Sequence, residues 1–259
     1  MPRLAIALVT AFALTSAALA QSPAPSRLDD IVKRGTLRVG LTGDYPPFSF
    51  VDKATSALAG FDVEMMASLA AALGVRTEFV RTSWPTLARD FEAGAFDLAA
   101  GGVSVTAERE KLGPFSSVLM QDGKTPIARC AEAGKFQTLA DIDRPGVRVI
   151  VNPGGGNERF ARAHVHAAEI TVYSDNTTIF DQIAEGRADV MMTDASETRF
   201  QQKRHPGVLC AVHPDTPFEA TRKAYWLQRD DALKAAVDHW LRGIKEDGTF
   251  GRIYAKWFG

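Results

Sequence analysis

Several polar side chains in this sequence have the type and setting needed to handle a small anionic molecule. Glu197 follows the apolar run Val190 to Thr193 and opens a helix-like stretch, Ser196 to Lys203. A carboxyl buried at such a place keeps its proton near neutral pH and can act as a general acid. The plainer reading is a glutamate favoured by the dipole at a helix N-terminus. Arg109 carries the planar fork that grips a carboxylate through two parallel hydrogen bonds. Ser104 and Thr106 stand beside it as hydroxyl donors, and Glu108 and Glu110 offer it a surface ion pair instead. Lys124 is suited to a second carboxylate or to a departing hydroxyl, although a lone lysine usually faces solvent. Asn152 ends a strand-like run, where it donates a hydrogen bond to a ligand or caps the Pro153 turn. Trp84 makes an apolar wall for a ring, or a core side chain. Gly154, Gly155 and Gly156 precede a helix-like stretch, so their N–H groups can cradle an anion. Their spacing is not that of a dinucleotide loop.

These residues need elements to hold them. Thr36 to Thr42 alternates as a half-buried strand does. Phe61, Met65, Leu69 and Leu73 recur at four-residue spacing before Gly74, which predicts a helix. Further strands are expected at Glu78–Val80, Leu98–Val103, Val147–Val151, Ile170–Tyr173 and Val190–Thr193. Helices are expected at Trp84–Glu92, Asn157–Ala163, Thr177–Glu185, Asp231–Glu246 and Thr249–Trp257. Helices between strands call for a parallel or mixed sheet covered on both faces.

One internal echo suggests two such units. Phe91-Glu92-Ala93-Gly94-Ala95-Phe96-Asp97-Leu98 resembles Ile183-Ala184-Glu185-Gly186-Arg187-Ala188-Asp189-Val190. Each reads as a helix end, a glycine cap, an aspartate and a buried strand. Ligands of open α/β sheets sit beyond the carboxyl ends of the strands, so two units facing each other make a cleft. Extended crossings between the units are expected near Lys124–Ala128 and His213–Pro217, where Pro126, Pro214 and Pro217 stiffen the chain.

Composition narrows the classes. The 259 residues are 46% hydrophobic, ample for a core, and the formal charge is −1. No basic stripe exists to neutralise phosphates, so nucleic acid is not an expected partner. Arg3, the apolar run Leu4 to Leu14 and the closing Ala18-Leu19-Ala20 predict a secretory signal peptide over 1–20, followed by a flexible tail over 21–26. The competing membrane anchor is short for a bilayer. Two cysteines, Cys130 and Cys210, then read as a disulfide of an exported protein, with a pair of buried thiols as the alternative. His164 and His166 are spaced to point to different sides of a helix, and no metal or cofactor is expected. No nucleophile elbow is present.

A family resemblance sharpens these readings. Gly43-Asp44-Tyr45-Pro46-Pro47-Phe48-Ser49-Phe50 and Gly60-Phe61-Asp62-Val63-Glu64-Met65 resemble the opening of the bacterial extracellular solute-binding proteins for polar amino acids. Thr106-Ala107-Glu108-Arg109 resembles their carboxylate-binding arginine segment. The resemblance runs from Leu28 to Phe258. It implies the type II periplasmic-binding-protein fold, an α/β chain with two lobes, a cleft and two hinge crossings. Residues 27–125 and 215–259 would form lobe 1, and 126–214 lobe 2. In that family an aspartate at the place of Asp194 pairs with a ligand ammonium; Asp44 would do the same or cap the Tyr45-Pro46 turn.

Five further segments resemble the cyclohexadienyl dehydratases, a group descended from solute-binding proteins. They are Thr82-Ser83-Trp84-Pro85, Asp122-Gly123-Lys124-Thr125-Pro126-Ile127, Val151-Asn152-Pro153-Gly154-Gly155, Met191-Met192-Thr193-Asp194-Ala195 and Cys210-Ala211-Val212-His213-Pro214. The resemblance implies a periplasmic lyase converting prephenate to phenylpyruvate and arogenate to phenylalanine, with Glu197 as proton donor. Lys124 and Asn152 would assist it. Arg109, Ser104, Trp84, Asp194, Gly155 and Asp44 would bind the substrate. Those enzymes carry threonine where this chain has Gly156, which removes a hydroxyl from the carboxylate site. The competing expectation is a non-catalytic receptor that delivers an amino acid to a membrane transporter. Neither reading fixes whether the chain forms a homo-oligomer.

Overall fold

The computed structural model describes residues 26–259. The expected signal peptide, and all of the expected tail but Ser26, lie outside the described residues. The first half runs α1 (Arg27–Arg34), β1 (Thr36–Leu41), β2 (Asp44–Tyr45), β3 (Ser49–Val51), β4 (Leu58–Ala59), α2 (Phe61–Ala72), β5 (Arg76–Arg81), α3 (Leu87–Glu92), β6 (Leu98–Ala99) and α4 (Ala107–Leu112). Then follow β7 (Met120–Arg129), α5 (Leu139–Ile142), β8 (Arg148–Val151), α6 (Gly156–His164), β9 (Glu169–Val172), α7 (Ile179–Ala184), β10 (Val190–Asp194), α8 (Ala195–Arg204) and β11 (Leu209–Ala211). The chain closes with β12 (Glu219–Lys223), β13 (Trp226–Leu227), α9 (Asp231–Glu246) and α10 (Thr249–Phe258).

Two sheets share one plan. In the first, ordered β13-β6-β1-β5, β1 lies parallel to β5 and β6, and β13 runs antiparallel to β6. In the second, ordered β11-β7-β10-β8-β9, β8 lies parallel to β9 and β10, and β7 runs antiparallel to β10. The internal echo occupies matching places. Gly94 and Gly186 both take the left-handed conformation, with φ of 67° and 76°. The Asp97 carboxylate accepts from the Arg38 N–H at 2.8 Å, as the Asp189 carboxylate accepts from the Arg148 N–H at 2.8 Å. Each aspartate thus pins the start of one strand to the edge of the next. The two lobes are copies of one architecture in their hydrogen bonds as well as in their sequence.

Both faces of each sheet are covered. Leu37, Val39 and Leu41 pack with Phe61, Met65 and Leu69 of α2 and with Leu233, Val237 and Leu241 of α9. Phe91, Phe96 and Ala99 pack with Trp226 on the other face, where the Phe91 and Trp226 rings stack 3.7 Å apart. In the second sheet Val149 and Val151 face Phe160, while Ile150 faces Phe180 and Ile183. Each such side chain contributes about 1.5–3 kcal/mol by leaving water.

Strand β7 joins the lobes. Its first half pairs with β12 from Met120 to Lys124, and its second half pairs with β10 and β11. The segment Lys124–Ala128 therefore lies inside a sheet, with Pro126 opposite Met192. Its proline suggests a bare connector; partners on both sides make it a strand. Cys130 and Cys210 are disulfide-bonded, tying the end of β7 to β11. The helix expected from Trp84 starts only at Leu87. The preceding turn is held by the Thr82 and Thr86 hydroxyls, which donate to the Asp90 carboxylate at 2.7 and 2.9 Å. That turn sets the position of Trp84. Among the described residues no helix is long and apolar enough to cross a membrane.

Candidate active site

The two lobes meet at the carboxyl ends of β10 and β8 on one side and at the segments following β1 and β6 on the other. Asp194, the last residue of β10, is the centre of the contact. It is buried, and its Oδ1 accepts from Lys124 Nζ at 2.7 Å. Its Oδ2 accepts from both Lys223 Nζ and the Tyr45 hydroxyl. Burial alone would raise the Asp194 pKa, but the two ammonium groups outweigh it and hold the carboxyl well below its usual range. Burial in turn depresses Lys124, and Asp194 partly restores it.

A second chain of hydrogen bonds runs from Lys124 to Glu197. Lys124 Nζ donates to Asn157 Oδ1 at 2.6 Å. Asn157 Nδ2 donates to Asn152 Oδ1 at 3.0 Å and to Thr193 Oγ1 at 2.9 Å. The Thr193 hydroxyl then donates to Glu197 Oε2 at 2.6 Å. Glu197 is fully buried on the first turn of α8, and its other oxygen, Oε1, has no hydrogen-bond partner among the described residues. Burial pushes its pKa up to about 8; the Thr193 bond opposes the rise and the Asp194 charge adds to it. A proton retained on this carboxyl sits on the free Oε1, because Oε2 already accepts from threonine.

Trp84, Ser104, Arg109, Lys124, Asn152, Gly155 and Asp194 all line one chamber with Tyr45, Asn157 and Lys223. Arg109 is half-buried, donates to the Ser104 carbonyl at 2.9 Å, and has no carboxylate partner among the described residues. Burial and the nearby Arg159 lower its pKa to about 10, which leaves it charged. Ser104 Oγ accepts from Lys223 Nζ at 2.9 Å. Trp84 meets Tyr45 edge-on with centroids 5.3 Å apart. Gly155 caps α6 beside this indole. A side chain added at Gly156 would approach Lys124 Nζ at 3.5 Å, ordinary contact, so the glycine widens the chamber there.

Two expected residues stand back from the chamber. Glu197 lies behind Thr193 and Asn157. Asp44, raised by burial, does not line it either; its carbonyl accepts from Asn176 Nδ2 at 2.9 Å and so ties the lobes together. Lys223, Tyr45, Asn157 and Thr193 hold the site together without having stood out in the sequence. Lys223 sits on β12, whose run Glu-Ala-Thr-Arg-Lys has no apolar face to mark it as a strand.

The chamber is only about 20 Å³, far below the roughly 300 Å³ at the low end of small-molecule pockets. The lobes are shut, and a ligand enters by parting them. A hollow of about 450 Å³ adjoins it through Ser104, Lys124 and Gly156, edged by Arg159 and Arg222. A still larger one of about 690 Å³, beside α8 and α10, contains none of the expected site residues.

Two sheets of one plan, shut on a charged cleft between them, define a solute-binding protein. The chain belongs to the bacterial extracellular solute-binding proteins, family 3, whose family model matches residues 37–259. It is 51% identical over 232 residues to the cyclohexadienyl dehydratase of Pseudomonas aeruginosa, covering 90% of this chain and 86% of that one. It is 30% identical over 232 residues to the L-cystine-binding protein TcyJ of Escherichia coli K12, with the same coverage. Among solved structures, an ancestral amino acid-binding protein described as a precursor of cyclohexadienyl dehydratase matches with TM-score 0.83 and 35% identity, over 90% of this chain and all of that one. An ancestral cyclohexadienyl dehydratase matches with TM-score 0.56 and 51% identity, over 91% and 97%.

Proposed function

We propose that the chain is a dehydratase that converts prephenate to phenylpyruvate, and arogenate to phenylalanine, in the periplasm. The observation that carries this reading is Glu197: a fully buried carboxyl, proton-bearing at neutral pH, with Oε1 free. A receptor that only binds gains nothing from such a group. The relative at 51% identity bears the name of this activity. The reading takes residues 1–20 as a leader, 27–125 with 215–259 as lobe 1, and 126–214 as lobe 2.

The driving force lies in the substrate, whose ring becomes aromatic. The bond from the ring to its carboxylate breaks, and its electron pair enters the ring as CO2 leaves. The ring carbon–oxygen bond breaks, and the Glu197 proton departs with the hydroxyl as water, once substrate seated between the parted lobes has displaced the Thr193–Asn157 link that screens Glu197 from the chamber. Prephenate dianion and one proton thus give phenylpyruvate anion, CO2 and water. Arg109 and Lys124 grip carboxylate, Trp84 flanks the ring, and Asn152, held in place by Asn157, orients the leaving oxygen. Shutting the lobes excludes water and strengthens each of these interactions. Solvent reprotonates Glu197 when the lobes open.

The test is phenylpyruvate formation by purified protein given prephenate, across pH. The expected rate is flat near neutrality and falls as pH rises through about 8, where Glu197 loses its proton. No product at any pH, with a free amino acid raising the melting temperature, would favour the amino-acid receptor.

A further inference from the structure

Lys223 is the one buried ammonium in the cleft to which the proposed reaction gives no task. It reaches in from the end of β12, the strand laddered to the first half of β7. Its Nζ donates to Asp194 Oδ2, to Ser104 Oγ at 2.9 Å and to the Gly102 carbonyl at 3.0 Å. It also lies 5.7 and 5.6 Å from the Tyr45 and Phe48 ring centroids. Among the residues lining the chamber, Arg109, Lys124 and Lys223 are cationic and Asp194 alone is acidic. Both oxygens of the ionised Asp194 carboxylate already bear an ammonium group, so a ligand's ammonium would have to displace one of them. Asp62 and Asp122 lie behind this layer, on the Gly101 and Gly102 N–H groups and on Ser196 respectively.

We propose that Lys223 sets the charge class of the ligand: by occupying Asp194 it makes the cleft select carboxylates that carry a keto group over those that carry an ammonium. Resting on the dehydratase reading, this makes prephenate the preferred substrate and arogenate the poorer one. The two excess positive charges lining the chamber match a dianion. An ammonium brought to the same place meets Lys124 and Lys223 in low dielectric, where like charges repel strongly. Without Lys223, Asp194 keeps Lys124 on one oxygen, and a ligand ammonium can join the Tyr45 hydroxyl on the other.

Calorimetric titration with two unreactive probes tests this. Phenylpyruvate and L-phenylalanine share a benzyl group and a carboxylate and differ in keto against ammonium. The parent protein is expected to bind phenylpyruvate at least about tenfold more tightly, the scale of one charge-assisted hydrogen bond. Lys223→Met is expected to narrow or invert that ratio by about tenfold or more, chiefly by gaining phenylalanine. Equal binding of both probes by the parent protein would overturn the proposal; that measurement stands even where the variant fails to fold. A folded Lys223→Met that weakens both probes by the same factor would also overturn it. Keto-acid selectivity without turnover of prephenate would sink the dehydratase and leave the charge selection intact. Turnover without selectivity would do the reverse.

Discussion

Replacing Glu197 by glutamine is expected to lower prephenate turnover by about 10²–10⁴-fold while leaving the protein folded and able to bind ligand. Glutamine keeps the shape and the carbonyl that accepts from Thr193, but it has no acidic proton to give. The same variant carries a second signature, in stability. Well below the ordinary glutamate value of 4.5 the folded and unfolded chains both hold this proton, and burial costs little. Between that value and about 8 the folded chain keeps a proton that the unfolded chain has lost. Stability then falls as pH rises, and the loss is complete above about 8. Glu197→Gln escapes that penalty. Its melting temperature should exceed the parent's, by a margin that widens from pH 5 to pH 9. Rate loss with the opposite stability trend would mean that Glu197 is ionised in the folded protein and is no proton donor.

Removing the Cys130–Cys210 bridge, as a double serine variant, is expected to cost roughly 4 kcal/mol of unfolding free energy. The bond closes a loop with a sequence separation of 80, and the unfolded chain regains the entropy of that loop when the bond is absent. For a chain of this size the melting temperature should fall by about 10 °C. Urea unfolding in the presence and absence of reductant measures the same quantity on the parent protein. A change below about 1 kcal/mol would show that pairing of β7 with β11 holds the base of lobe 2 unaided.

The sequence makes the periodic parts of this fold easy to read. The apolar faces of α2 and α9 are long enough that Phe61 and Asp231 mark their first residues in sequence and structure alike. The Gly94–Asp97 and Gly186–Asp189 turns are legible because each needs a left-handed residue and a carboxylate at a fixed offset. Strands β2, β3 and β4 span two or three residues each, too few to show a period. Strand β12 is fixed by its ladder to β7 and not by its own pattern, which is why Lys223 went unmarked. Residues flagged by chemistry at strand ends, such as Lys124, Asn152 and Asp194, converge on one chamber. Their links through Asn157, Thr193 and Tyr45 depend on how the lobes face each other, and no local spacing records that.

The setting of Trp84 also makes the protein its own optical gauge. Its indole N–H is buried without a partner among the described residues, edge-on to Tyr45 and beside Gly155 of the opposite lobe. Parting the lobes wets that indole and shifts its fluorescence to longer wavelength, whereas Trp226, stacked on Phe91 deep within one lobe, stays dark to the motion. Rapid-mixing fluorescence can therefore time the opening stroke directly, with no attached dye.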